Sequence, residues 1–154
     1  MAITIQSPAF APGGTIPAKH TYDGPNLSPP LRWSDPPPRT RSFTLIVDDP
    51  DAPVGTWVHW VLYSIPATLR ALPGGVPPQP AVAGVGVQGM NDFKKLGWGG
   101  PSPPRGAAHR YFFRLYALDI DGWPTPRMTR PQLVNAMQGH VLAQGELMGR
   151  YQRK

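Results

Sequence analysis

Ser42-Phe43-Thr44-Leu45-Ile46-Val47-Asp48-Asp49-Pro50-Asp51-Ala52-Pro53 runs out of an apolar segment into a stiff turn, and Trp57-Val58-His59-Trp60 begins a second apolar segment. Phe43, Leu45 and Val47 alternate along residues 42–48, the spacing of a strand with one buried face. Pro50 and Pro53 fix φ and remove backbone donors, so the ladder must stop there. Asp49 and Asp51 therefore stand on a rigid turn, and His59 follows inside an apolar strand. Polar side chains at the ends of hydrophobic strands are how a β-scaffold builds a small pocket. Function is expected in a ligand site, not in a surface charge patch.

Further strands are expected at residues 3–6, 31–33, 58–65 and 110–118. Each is bounded by turn residues such as Gly13-Gly14, Asp35-Pro36-Pro37-Pro38 or Asp121-Gly122. Segment 76–89 reads as irregular chain with one edge strand, and residues 66–69 as a short helical turn. Segment 101–106 carries three prolines and must be a loop of restricted conformation. One helix is expected: Thr129 as N-cap, Pro131 in the first turn, then Leu133, Ala136, Met137 and His140 at helical spacing, ending near Gly139. Residues 141–151 suit a final strand. The reading is mostly β: an antiparallel β-sandwich with one short C-terminal helix, in a single domain over residues 1–154.

Composition agrees. Twenty-two prolines and seventeen glycines suit either disorder or a β-protein with many hard turns, and five Trp, five Tyr and five Phe decide for the folded case. The absence of cysteine removes disulfides, thiolate nucleophiles and Cys-based metal sites. The N-terminal residues have no basic and apolar signal pattern, and no apolar run approaches the ~18 residues that span a bilayer. A cytoplasmic protein is expected, with weak contact at a membrane surface the only membrane interaction left. The net charge of +6 invites nucleic acid. The basic residues are scattered, however, with no basic stripe and no RNA-binding strand signature, so no nucleic-acid partner is expected.

Strand parity shows which polar groups meet. His109, Tyr111, Phe113, Leu115 and Ala117 share one face. Trp57, His59, Val61 and Tyr63 share another, and Asp49 continues the face of Phe43, Leu45 and Val47. If these strands are neighbours, Asp49, His59, His109 and Tyr111 converge at one edge of the core. Imidazole N–H groups and a phenol donate to an anionic head group, and Asp49 or Asp51 fixes a histidine tautomer.

These motifs, Asp-Pro-Asp-Ala-Pro, His59-Trp60, the Gly-Pro-x-Pro-Pro-x-Gly run and His109-Arg110-Tyr111, resemble the phosphatidylethanolamine-binding protein family, in its short bacterial, Raf-kinase-inhibitor-like branch. Tyr22-Asp23-Gly24, Ser28-Pro29-Pro30-Leu31, the run from Met137 to Ala143 and Gly149-Arg150-Tyr151 extend the likeness over nearly the whole chain. The resemblance implies a β-sandwich with an anion pocket, and members that inhibit kinases or proteases. It assigns Asp49 and Asp51 as pocket aspartates, His59 and His109 as pocket histidines, Tyr111 beside them, and Pro103 and Pro104 as rim. It also implies a cis Ala52–Pro53 bond. Val58 departs from a histidine found in some eukaryotic relatives.

The expected function is a non-catalytic binding module for phosphate, phosphorylethanolamine or carboxylate groups, extended by regulation of a kinase or protease partner and by a homodimer. No catalytic residue, metal or cofactor is assigned. The alternative is a metal- or His/Asp-dependent hydrolase of a small phosphate or peptide substrate. Against it, no Gly-x-Ser-x-Gly elbow, P-loop or closely spaced histidine pair is present. His20 and His140 are expected to be structural, His140 on the apolar helix face, and Trp57 or Trp98 to line the pocket.

Overall fold

The computed structural model describes residues 2–154. Its strands are β1 (Ile5–Gln6), β2 (Leu31–Trp33), β3 (Ser42–Asp49), β4 (Trp57–Pro66), β5 (Ala71–Leu72), β6 (Ala81–Val82), β7 (Gly86–Gln88), β8 (His109–Leu118) and β9 (Val141–Tyr151), with helix α1 (Arg130–Met137) before the last. They form a three-stranded sheet, β1-β2-β5, and a six-stranded sheet, β6-β7-β4-β3-β8-β9, whose strand pairs are all antiparallel. The fold is mostly β, as expected.

Alternation assigns the faces of the large sheet. Phe43, Leu45, Val47, Tyr111, Phe113 and Leu115 pack between the sheets with Ile5, Leu31 and Trp33. Ile46, Val58, Val61, Tyr63 and Leu118 point the other way and are covered by Leu133 and Met137 of α1. The neighbouring carboxylates Asp48 and Asp49 part by the same rule. Asp48 goes to the helix side and forms a two-pronged bond with Arg114, and Asp49 goes to the sandwich side. The helix starts as expected: Thr129 and Gln132 bond each other's backbone N–H in a capping box.

Several expectations need correction. Parity along β4 breaks at a bulge, since Val47 pairs with Trp60 and Asp48 with Val58, leaving His59 without an opposite residue. A bulge puts consecutive side chains on one side. His59 therefore turns toward the sandwich side beside Trp60, away from the helix-side face of Val61 and Tyr63. Segment 76–89 holds a hairpin, β6 and β7, where one edge strand was expected. Its turn closes through Gly84 at φ +75°. Residues 66–69 make a hydrogen-bonded turn and no helix. His140 lies beyond α1, where its Nδ1 is 2.9 Å from Asp119. Ala52–Pro53 is trans, because no cis peptide occurs among the described residues. Pro53 is the second residue of a turn closed by Gly55 N–H to the Ala52 carbonyl, a position that suits a trans proline.

β9 is an edge strand, and the N-terminal segment shields it. Ile3 N–H donates to the Gln144 carbonyl, Gly13 N–H to Met148, and Arg150 N–H to Gly14. Gly145 makes this cover fit, since a Cβ there would lie 2.0 Å from the Ile3 oxygen. A long unpaired edge would template aggregation, and this one is covered.

Candidate functional site

β4, β3 and β8 are adjacent in that order, so the polar ends of three strands meet. They border a cavity of about 230 Å³. Asp49, His59, His109 and Tyr111 supply its polar wall, with Ser102 at the loop. Trp57, Phe93, Pro53, Val54, Pro103 and Pro104 supply the apolar remainder. A volume of this size holds a small head group.

Each polar residue is held by a different device. Asp49 ends β3, and its Oδ1 accepts the Asp51 N–H at 2.7 Å, the turn bond that aspartate favours. Its Oδ2 lies 2.7 Å from His109 Nδ1. A carboxylate accepts, so Nδ1 donates and Nε2 of His109 is turned to the cavity. His59 Nδ1 lies 2.6 Å from the Gly99 carbonyl, and Gly99 N–H donates back to the His59 carbonyl at 2.9 Å. Gly99 is required there, because a Cβ would meet the Phe93 ring at 2.6 Å. Burial pushes the His59 imidazole below its ordinary pKa, against the upward pull of the Gly99 carbonyl and Asp49. The His59 ring stands edge-on to Tyr111 at 5.1 Å and to Phe93 at 5.4 Å.

Two donors on lining residues have no partner: the Tyr111 hydroxyl and the Trp57 indole N–H are both buried without a hydrogen bond. Burial, with Asp49 nearby, pushes the Tyr111 phenol far up, so it stays protonated. An unpaired buried donor costs about 1–3 kcal/mol. Tyr111 itself is 1% exposed.

The proline rim is fastened from outside. Arg153 forms a two-pronged bond with Asp23 and donates to the Pro103 carbonyl at 3.1 Å, and Tyr151 also donates to Asp23. Tyr22, beside Asp23, donates its N–H to Pro101 and packs on Phe93.

The sequence model of the family described as phosphatidylethanolamine-binding protein matches residues 6–152. The chain belongs to that family. Among proteins of this type, the UPF0098 protein of Aquifex aeolicus (strain VF5) is 47% identical over 152 residues, covering 97% of this chain and 88% of that one. That of Methanothermobacter thermautotrophicus is 44% identical over 151 residues, covering 98% and 99%. Two crystal structures share the fold. The putative phosphatidylethanolamine-binding protein homologue CT736 of Chlamydia trachomatis superposes with a TM-score of 0.90 at 39% identity, over 99% of both chains. YbcL of Escherichia coli, described as a new member of the mammalian family, gives 0.89 at 31% identity over 100% of both.

Of the residues that the resemblance to the phosphatidylethanolamine-binding protein family assigned, Asp49, His59, Pro103, Pro104, His109 and Tyr111 border one cavity, and Asp51 does not. Asp51 instead accepts three bonds from Arg110: the backbone N–H, Nε and Nη2, each at 2.9 Å. The Arg110 guanidinium holds its carboxyl at about 2, below the ordinary 3.8. A depressed carboxylate pKa stabilises the fold above the ordinary value, and this contribution is lost as pH falls toward 2. Asp51 is a latch that fixes β8 one residue after His109. Trp57 lines the cavity. Trp98 is in the core, stacked on Phe113.

The sequence reading missed Phe93, which is carried by a loop that Asn91 shapes. The Asn91 side chain donates to the Gly97 carbonyl and accepts from Phe93 and Lys95 N–H groups. The available signal was an aromatic residue between polar neighbours in a loop. No helix among the described residues is long and apolar enough to cross a membrane, and no three His, Asp or Glu side chains among them group as a metal site.

Proposed function

We propose that this chain is a non-catalytic binding module whose cavity takes a small oxyanion head group, of the phosphate, phosphorylethanolamine or carboxylate kind. The supporting observation is the His109–Asp49 pair at a solvent-reachable cavity whose Tyr111 hydroxyl has no protein partner. The pair fixes one imidazole so that Nε2 meets the ligand, and the phenol supplies an unspent donor. Apolar walls strengthen each such bond by excluding water. The stiff prolines at the rim limit the ordering cost of binding.

One observation favours a hydrolase: Asp49 and His109 have the geometry of an acid–base pair, and Ser102 borders the same cavity. Ser102 is exposed and makes no hydrogen bond to His109 among the described contacts, so nothing activates it as a nucleophile. Titration with O-phosphorylethanolamine, followed by histidine NMR, separates the readings. The binding reading predicts saturable shifts at His59 and His109 below millimolar ligand, with no phosphate released over hours. Unmoved histidines sink the pocket, and turnover that Ser102→Ala abolishes establishes the hydrolase.

A further inference from the structure

The two edges of the six-stranded sheet differ. The N-terminal segment covers β9, with backbone bonds at Gln144, Met148 and Arg150. β6 ends the opposite side, and no strand among the described residues pairs beyond it. The Pro80 carbonyl accepts the Gln88 N–H and the Val82 carbonyl accepts the Val85 N–H, so residues 80 and 82 turn their backbone groups inward. Backbone direction alternates along a strand, so Ala81 between them turns its N–H and carbonyl to the open side. The edge is also stiff. Val82 and Val85 pack against the main core, and the Gln88 amide fixes the Pro77 and Gln79 carbonyls ahead of β6. Gly86 lets the hairpin lie close to β4, because a Cβ there would stand 2.6 Å from the Tyr63 oxygen.

Open edges are ordinarily blunted by charge, above all by lysine. Here only the shortness of β6 and Pro80 guard the edge. Residues 71–91 hold no Asp, Glu, Lys, Arg or His, in a chain whose net charge is +6. Burial does not account for the missing charge, since residues 77–81 and Ala83 are exposed. A two-fold interface does account for it. Such an axis sets each residue near it against its own copy, so any charge there would meet itself. A partner of different sequence imposes no such condition, and would gain by complementing a basic surface.

We propose that β6 is a self-association edge, where two copies join β6 to β6 antiparallel about a two-fold axis normal to the sheet. The product is one continuous sheet built from two six-stranded halves. Closure follows from the other edge. With β9 covered, each large sheet offers one open side, so pairing stops at two copies and does not run on into a fibre. No residue of 71–91 borders the cavity, so association and ligand binding are separate properties.

Sedimentation equilibrium of the unaltered protein, from micromolar to about 1 mM, should show a reversible monomer–dimer equilibrium and no larger species. Ala81→Lys sets two ammonium groups across the axis and should weaken association by about tenfold or more. Ala81→Pro deletes the outward donor, leaves the bonds to β7 in place, and should act in the same direction. The chain has no cysteine, so Ala81→Cys is a clean reporter. Its oxidation should couple two copies faster than that of Asn135→Cys, an exposed position on α1. A chain that stays monomeric at the highest concentration overturns the proposal and leaves the edge to a strand of a different protein. A dimer that neither Ala81 variant weakens, or that Asn135→Cys traps equally fast, places the interface elsewhere and overturns it too. Species larger than the dimer contradict closure.

Discussion

Replacing His109 with alanine is expected to weaken phosphate binding at least a hundredfold, which is about 2.7 kcal/mol. Two losses combine. The Nε2 that meets the ligand is gone, and the Asp49 Oδ2 that the ring covered now faces the cavity. An incoming anion would meet a carboxylate where it had met an imidazole. The same deletion leaves a buried acceptor without its donor, since the Asp49 side chain is only 4% exposed. A stability cost of about 1–3 kcal/mol should follow. Calorimetric titration and urea unfolding measure the two effects on one sample. Asp51→Asn is the control: Asp51 latches Arg110 and does not border the cavity, so phosphate affinity should stay within a few-fold. Wild-type affinity in His109→Ala, or loss of binding in Asp51→Asn alone, would reverse the assignment of the two aspartates.

Trp60→Ala should cost about 3–5 kcal/mol, the range for deleting a buried tryptophan. Trp60 is 0% exposed, stands edge-on to Trp98 at 5.6 Å, and donates its indole N–H to Gln88 Oε1 at 2.8 Å. Gln88 in turn donates to the carbonyls of Pro77 and Gln79, so one indole anchors β7 and the segment that leads into β6. Alanine leaves a cavity and strands a buried acceptor together. Thermal unfolding should drop by on the order of 10 °C. Trp60→Phe keeps most of the apolar contact and should lose roughly 1–3 kcal/mol, the cost of the stranded Gln88 oxygen. Equal losses in both variants would show that the hydrogen bond, not the packing, dominates. Because Trp60 follows His59 at the bulge, its loss should also disturb the His59 resonances.

Part of this molecule was legible in the chain because it depends on near neighbours. Alternation from His109 to Ala117 gave the inward face of β8 correctly, and Thr129 marked the helix start. The clustering of Asp49, His59, His109 and Tyr111 followed from strands that proved adjacent. What alternation could not supply was the bulge at His59. A bulge is a relation between two strands, and nothing local marks it. Parity grouped His59 with Val61 and Tyr63, whose side chains face the helix, and it is the bulge that turns His59 to the cavity with the other three. Asp49 and Asp51 look equivalent as turn carboxylates. They are divided by the Arg110 guanidinium, which is 59 residues distant in sequence and takes Asp51 for itself. Phe93 and the Arg153–Asp23 fastening reach the site from loops whose placement depends on tertiary contacts alone. The bent parts of the site were hidden for this reason, and the straight parts were not.

A crystal structure of the protein grown with saturating O-phosphorylethanolamine tests the central claim most directly. The phosphoryl group should occupy the cavity, with one oxygen within hydrogen-bonding distance of His109 Nε2 and another near the Tyr111 hydroxyl. An empty cavity at saturation, or a ligand bound only outside the cavity, would contradict it.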